Sequence, residues 1–416
     1  MPDETRLRPS LSREALFDLV QERTFRWFWE RADEASGMAP DRTTSPAGLV
    51  TVGGTGFCVM ALVVGASRGF VTRADALVRL AKIVATLERA ERHHGVFPHW
   101  MDGRSGAVIP FSPKDDGGDL VETAFLMQGL LTARHYFDGD EPLEAEVRAR
   151  IDALWRAVEW NWHKAPDDSV LLWHWSPNCG FELNHAIRGW NECLIVYVLA
   201  AGSPTYPIDP ALYHEGWARS PTFLNGRKAY DIELPLGPPL GGPLFFAHYS
   251  FLGLDPRSLR DRYADYGEQN RRHVALNHAY CLENPKGCAG YGPACWGLTA
   301  SDNFAGYSAH APDNDRCVIA PTAALASFPY APEMAATAME HFYFDLGDRI
   351  WTKWGFTDAF SDQREWYSGD HLAIDQGPIV IMMENHRSGL PWRLFMQVPE
   401  VRAGLDRLGF SAPATA

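Results

Sequence analysis

Leu120-Val-Glu-Thr-Ala-Phe-Leu-Met-Gln-Gly-Leu-Leu-Thr-Ala-Arg-His-Tyr-Phe137 is apolar around most of a helical circumference, while the helical stretch that follows, Glu144 to Trp162, is amphipathic. A helix apolar on all sides is buried on all sides, and an amphipathic one lies between core and solvent. The alternation runs along the whole chain. Arg13 to Ala35 carries Leu16, Phe17, Leu19, Val20, Phe25, Trp27 and Phe28 at helical spacing, Val52 to Val64 is small and apolar, and Arg73 to Arg92 is amphipathic. Apolar Glu192 to Ala201 is followed, after a loop, by Pro256 to Ala279. Small, apolar Ala320 to Ser327 then precedes amphipathic Pro332 to Phe344. Strand signals stay short. The pattern predicts an all-α fold of concentric helical rings, an (α/α) toroid, whose inner helices start at one end so that their N-termini and preceding loops share a rim.

No Ser-, Pro- or Gly-rich boundary divides the 416 residues, and no repeat of fixed period is visible. The expected organisation is a flexible segment 1–12, a single domain 13–411 and a tail 412–416. Lys plus Arg total 38 against 52 Asp plus Glu, a formal charge of -14, which excludes a polyanionic partner such as nucleic acid and favours a neutral substrate. The longest apolar runs, Leu194 to Ala201 and Ile379 to Met383, fall far short of the roughly 20 residues that a membrane span needs. Met1-Pro-Asp-Glu-Thr-Arg-Leu-Arg-Pro9 has no apolar stretch after its charges, so the default location is cytoplasmic, or periplasmic if an export signal has been trimmed. Cys281, Cys288 and Cys295 punctuate a Gly/Pro-rich loop at spacings unlike a zinc site, leaving room for one disulfide among them in an oxidising compartment. No nucleophile elbow, phosphate-binding loop, dinucleotide fingerprint or His-Glu-x-x-His pattern occurs, so neither cofactor nor metal is expected.

The chemically interesting acids stand at the starts of apolar helices: Asp119 and Glu122, Glu192, and Asp375. Asp119 and Glu122 have the i,i+3 spacing of a capping box, or else bind hydroxyl groups at the rim. Glu192 follows Trp190 and Asn191, an apolar wall and an amide that would suit a proton donor. A helix N-terminus lowers a carboxyl pKa and burial raises it, so a donor role requires burial to win. Asp375 and Gln376 offer a carboxylate and an amide before Gly377-Pro378, with Arg387 and Trp392 downstream as a fixed cation and a flat apolar face. That mixture suits a carbohydrate, whose hydroxyls take polar partners and whose C–H faces lie on indoles. The 15 Trp, many in loops beside His and Gly, suggest stacking platforms, and Trp173, Trp175, His248, Tyr249, Trp296 and Asp302 read as cleft lining. His94 and His99, flanking Gly95-Val-Phe-Pro98, read as structural histidines, and Glu384-Asn385 as bonding neighbouring backbone.

Taken in order, Thr24-Phe-Arg-Trp-Phe-Trp29, Gly118-Asp-Leu-Val-Glu-Thr-Ala124, Gly189-Trp-Asn-Glu192, Ser203-Pro-Thr-Tyr-Pro-Ile208, Phe246-Ala-His-Tyr-Ser250, Trp296-Gly-Leu-Thr-Ala-Ser-Asp302 and Ile374-Asp-Gln-Gly-Pro378 carry a resemblance along nearly the whole chain. The chain resembles a bacterial glucoamylase-like family whose characterised members include β-1,2-glucanases with an (α/α)6 barrel. The resemblance implies an anomer-inverting hydrolase of β-1,2-glucan or its oligosaccharides, needing no cofactor. It implies Glu192 as general acid, with Asp375 as base and Asp119 as the alternative. A transglycosylase or cyclising enzyme on the same glucan, or a noncatalytic glucan-binding protein, are the competing readings.

Overall fold

The computed structural model describes residues 11–412 except Asp168; the expected flexible segment and tail otherwise lie outside the described residues. The chain is mostly helical with short strands. Its helices are α1 (Arg13–Arg31), α2 (Val52–Arg68), α3 (Arg73–Arg89), α4 (Leu120–Tyr136), α5 (Pro142–Arg156), α6 (Leu194–Gly202), α7 (Tyr266–Glu283), α8 (Pro321–Leu325), α9 (Pro332–Phe344), α10 (Gly347–Ile350), α11 (Ala373–Arg387), α12 (Leu390–Met396) and α13 (Pro399–Arg407). Helix α2 packs between α4 and α11, with α1 and α3 outside it; α4 also meets α6 and α5, α6 meets α13, and α11 meets α8, which carries α9. The all-apolar helices are thus the ones with helical neighbours on several sides. In α2 and α4, every residue from Val52 to Gly65 and from Leu120 to Ala133 is buried.

Two helix pairs meet backbone to backbone. A Cβ on Gly56 of α2 would stand 2.1 Å from the Phe125 carbonyl oxygen of α4, and one on Gly129 of α4 would stand 2.1 Å from the Gly56 carbonyl oxygen. Gly202 and Gly404 make the same approach between α6 and α13. Helix starts differ from expectation where local polar groups intervene. The helix expected at Pro256 begins at Tyr266, because Asp265 caps it through the Glu268 N–H at 2.9 Å. Pro142–Arg156 stops short of Trp162, and residues Trp160–His163 form a separate 3-10 turn.

The strands are hairpins and ties at the helix N-terminal ends. β1 (Leu49–Thr51), β2 (Trp100–Asp102) and β3 (Val108–Ile109) form an antiparallel sheet that leads into α2. β4 (Gly118–Asp119) pairs with β5 (His174–Trp175) just before α4. After β6 (Leu224–Ala229) and β7 (Ile232–Leu236), the hairpin of β8 (Ala300–Asn303) and β9 (Gly306–Ala309) presents Asp302 opposite Tyr307. A disulfide joins Cys288 to Cys317 and encloses that hairpin in its loop. The expected trio therefore contributes one partner only: Cys281 and Cys295 are buried free thiols, and Cys317 is brought to Cys288 by the fold.

Candidate active site

Three walls of acids converge above the helix starts. On the first, Asp119 ends β4 and caps α4, its Oδ1 accepting the Val121 and Glu122 N–H groups at 3.0 and 2.9 Å. Its Oδ2 faces His99 Nδ1 at 3.2 Å and His174 Nε2 at 3.7 Å, and Asp115 Oδ2 lies 3.4 Å from the same His174 nitrogen. Burial alone would raise the Asp119 pKa, but the His99 hydrogen bond, the two imidazoles and the cap hold it below the usual value. The reciprocal half of the capping box is absent. Glu122 instead reaches across to α2, where its Oε2 accepts the Gly53 N–H at 2.8 Å, and burial raises its pKa to about 7. Burial also pulls His99 down, yet Glu122, Asp119 and Asp115 together raise it to about 9. His99, Asp115 and Asp119 are the described residues here with a divalent-cation donor set, their ligand atoms within 4.8 Å of one another. Direct pairing of imidazole with carboxylate already balances their charge.

On the second wall, Asn191 Oδ1 accepts the Cys193 N–H at 3.0 Å, and α6 begins only at Leu194. Glu192 therefore sits just ahead of the helix. Its own carbonyl accepts the Ser250 hydroxyl, which ties it to the segment carrying Tyr249. Only 9% of Glu192 is exposed. Burial raises its carboxyl to about 7, its own backbone N–H pulls the other way, and the Glu122 charge adds to the rise. Burial prevails over the helix start. The Tyr249 hydroxyl is buried without a hydrogen-bond partner, in the fields of Asp375, Tyr307, Glu192 and Asp358, and so stands between the second wall and the third.

The third wall is built on Asp375, in the first turn of α11 rather than at its cap. Both Asp375 oxygens are buried without a hydrogen-bond donor; burial first, then the neighbouring acid Asp358, raise its pKa well above the usual value. Asp358 Oδ2 accepts the Asp302 N–H at 2.7 Å, and Arg42 Nη1 binds both Asp302 oxygens at 3.0 and 3.1 Å. Asp41 takes the Trp100 indole N–H at 3.1 Å. Between the first wall and the third opens a cavity of about 290 Å³ whose lining includes Arg42, His99, Trp100, Phe111, Glu122 and Tyr307. Phe111 and Tyr307, 48% and 49% exposed, are its open aromatic faces.

Of the residues singled out from sequence, Glu192, Asp375, Asp119, Glu122, Tyr249 and Asp302 come together here. Trp173 and Trp175 support the site from behind: Trp173 stacks on His185 at 4.9 Å, and Trp175 pairs across β4 with Gly118. Gln376 is turned to the Phe356 carbonyl at 3.3 Å. The others belong elsewhere. Arg387, twelve residues along α11 and so about 18 Å from Asp375, pairs with Asp18 and covers the Phe17 ring. Trp392 donates to the Phe251 carbonyl at 2.7 Å and Trp296 to that of Met334 at 3.4 Å, both in the core. Trp190 is 3% exposed, packed against Trp217, Phe251 and Tyr266, and His248 is fixed on Ser327 at 3.1 Å. The reading of the tryptophans as platforms is corrected accordingly: Trp27, Trp155, Trp160, Trp217, Trp296 and Trp392 are among the largest fully buried side chains, because a fold this size needs bulk between its helices. His94 is structural as expected, 2.9 Å from Glu159 and stacked on Trp162; His99 is not, since it lines the cleft. Sequence reading missed Asp358, Arg42, Asp41, Asp115, Phe111 and Tyr307, all in loops or hairpins without periodicity.

These features define a mostly helical protein with an acid-lined cleft at the helix starts. Residues 184–399 match the family described as "Putative glucoamylase", and the chain belongs to that family. A Bacteroides uniformis structure described in the same words is 55% identical over 98% of this chain and 99% of its own, with a TM-score of 0.96. The endo-β-1,2-glucanase of Chitinophaga pinensis, in complex with sophorotriose and glucose, is 52% identical over 97% of this chain and 100% of its own, with a TM-score of 0.95. The exo β-1,2-glucooligosaccharide sophorohydrolase (non-reducing end) of Parabacteroides distasonis is 43% identical over 95% of this chain, which spans 58% of that relative's length.

Proposed function

We propose that the chain is a glycoside hydrolase that cleaves β-1,2-glucan or its oligosaccharides with inversion, and that residues 13–411 form its one catalytic domain, an (α/α)6 barrel. The barrel reading is supported by the order of neighbours, in which α2, α4, α6, the Tyr249 segment, α8 and α11 form an inner series backed by outer helices. One observation carries the mechanism: a buried Glu192 whose carboxyl, raised to about 7, still holds its proton in about half of the molecules at pH 7, while a separate group of acids around Asp375 shares the Tyr249 hydroxyl with it. Glu192 donates that proton to the leaving glycosidic oxygen. Asp375 activates water from the other side, as inverting hydrolysis requires. Asp119 is the weaker candidate for base, since both its oxygens are already engaged by the cap and the imidazoles. Glu122, Asp302 and Tyr249 are assigned to sugar hydroxyls, and Phe111 and Tyr307 to pyranose faces. The linkage is inferred from the named activities of the Chitinophaga and Parabacteroides relatives.

Among the described residues no helix is long and apolar enough to cross a membrane. The Cys288–Cys317 disulfide favours an oxidising compartment such as the periplasm over the cytoplasm expected from sequence. The test is incubation with linear β-1,2-glucan, with laminarin, cellulose-type oligomers and starch alongside, and chromatography of the products. Sophoro-oligosaccharides from the first substrate alone are expected, and their sizes separate internal from terminal cutting. Turnover of starch but not of β-1,2-glucan refutes the linkage; rings or longer chains establish transfer instead, and binding without products establishes a lectin-like role.

A further inference from the structure

Asp358 entered the site unannounced by any motif, and its surroundings give it a defined task. Both Asp375 oxygens and Asp358 Oδ1 are buried with no hydrogen-bond partner, and the two carboxyl groups lie close enough for each to shift the other's titration. Two carboxylates so placed cannot both be ionised without strong repulsion, and a single proton between them removes it. The remaining contacts are lopsided. Asp358 Oδ2 accepts the Asp302 backbone N–H at 2.7 Å, a donor that favours charge on Asp358, and no comparable N–H reaches Asp375. The other charged or titratable groups facing the pair are Asp302, Arg42 and Asp41 together with the Tyr249 and Tyr307 hydroxyls; Arg42 is committed to Asp302 and Asp41 and offers the pair no hydrogen bond of its own.

We propose that Asp358 and Asp375 work as one unit that carries a single proton and a single charge, with Asp358 as the positioning residue that orients Asp375 and shares its charge. The inference rests on the reading of Asp375 as the base. In the resting state the pair bears one proton. On attack, the proton leaving the nucleophilic water joins the pair, so that both acids become neutral as the new C–O bond forms, the old bond from the anomeric carbon to the glycosidic oxygen breaks, and that oxygen takes the Glu192 proton. Release of one proton to solvent restores the pair, and a separate proton restores Glu192.

The test is D358N, measured by steady-state kinetics and by thermal melting from pH 4.5 to 8. Loss of the charge-sharing partner lowers kcat at least about tenfold with KM within about threefold. A buried pair obliged to hold charge destabilises the fold as pH rises, so D358N melts above the unmodified protein at pH 8 and loses that advantage by pH 4.5. An unchanged kcat, or a melting temperature lowered equally at every pH, overturns the proposal and leaves Asp358 a packing residue. D375N relieves the same repulsion from the other side, so it must show the same pH-dependent gain in melting temperature, and it decides the matter if D358N does not fold. Full turnover in D375N refutes the base assignment while its melting curve still reports on the pair, so the two failures are distinguishable.

Discussion

Replacement of Glu192 by Gln removes the proton donor we propose and conserves the size and shape of the side chain. With its carboxyl at about 7, Glu192 is about nine-tenths protonated at pH 6 and about one-tenth at pH 8, so the protonated fraction, and the rate it supports, falls about tenfold between them. An alkaline limb near neutrality is therefore expected in kcat/KM of the unmodified protein on β-1,2-glucooligosaccharides, the proposed substrates. E192Q is expected to lose a factor of about 10²–10⁴ at pH 6, the usual worth of a positioned general acid. Stability moves the opposite way. A folded-state pKa raised from 4.5 to about 7 means that the native protein binds this proton more tightly than the unfolded chain. The stability belonging to that proton is complete below pH 4.5 and is lost as pH rises through 7, a total of about 3 kcal/mol. E192Q has nothing to lose, so it is more stable than the unmodified protein at pH 8 by up to that amount, and the two converge near pH 4. Urea titrations at the two pH values measure the difference directly. Retention of more than about a tenth of the rate at pH 6, or a rate that holds level from pH 6 to 8, refutes the assignment of Glu192 as acid.

Asp119→Ala deprives α4 of its cap and His99 of its partner; a loss of about 1–2 kcal/mol in chemical denaturation is expected from the cap alone, with His99 titrating below its present value of about 9 by NMR. Gly129→Ala drives a methyl group into the Gly56 carbonyl at 2.1 Å, and since backbone cannot swing aside as a side chain can, a cost of about 3 kcal/mol or failure to fold is expected; a cost under about 1 kcal/mol contradicts the packing described. Reduction of Cys288–Cys317 is expected to lower stability by about 2–4 kcal/mol in denaturant titration, and to slow turnover because the loop it closes carries Asp302 and Tyr307. Phe111→Ala and Tyr307→Ala are expected to raise KM several-fold with smaller changes in kcat, as for faces that hold sugar in ground and transition state alike.

The helical architecture was legible because burial leaves a periodic signature: a helix such as Leu120–Tyr136, buried all round, has no polar stripe, and Arg73–Arg89 has one. Helix starts were legible for the same reason, and they led to Asp119, Glu192 and Asp375. What stayed hidden came through loops. Asp358, Arg42 and Tyr307 are separated by tens to hundreds of residues and meet only because ties such as Arg42–Asp302 span 260 positions. Neither hydrophobic spacing nor capping chemistry marks such residues. Arg387 and Trp392 show the converse error: near Asp375 in sequence, they are set apart from it by the length of α11, at whose end Arg387 stands and beyond which Trp392 lies. Indole count proved a poor guide as well, since Trp296 and Trp392 satisfy their N–H groups on backbone carbonyls in the core.

The glycine seam between α2 and α4 divides the chain into parts with different evolutionary freedom. At Gly56 and Gly129 any larger side chain meets backbone, so mutation there is closed off irrespective of what the cleft accommodates. The hairpin that bears Tyr307 and the loop that bears Phe111 face no such barrier: their side chains are half in solvent and can be exchanged, lengthened or recoloured in charge without disturbing a helix. Divergence within this lineage therefore has one cheap direction, the rewriting of rim loops over an inherited set of tightly packed helices, and differences in ligand preference should be sought there first.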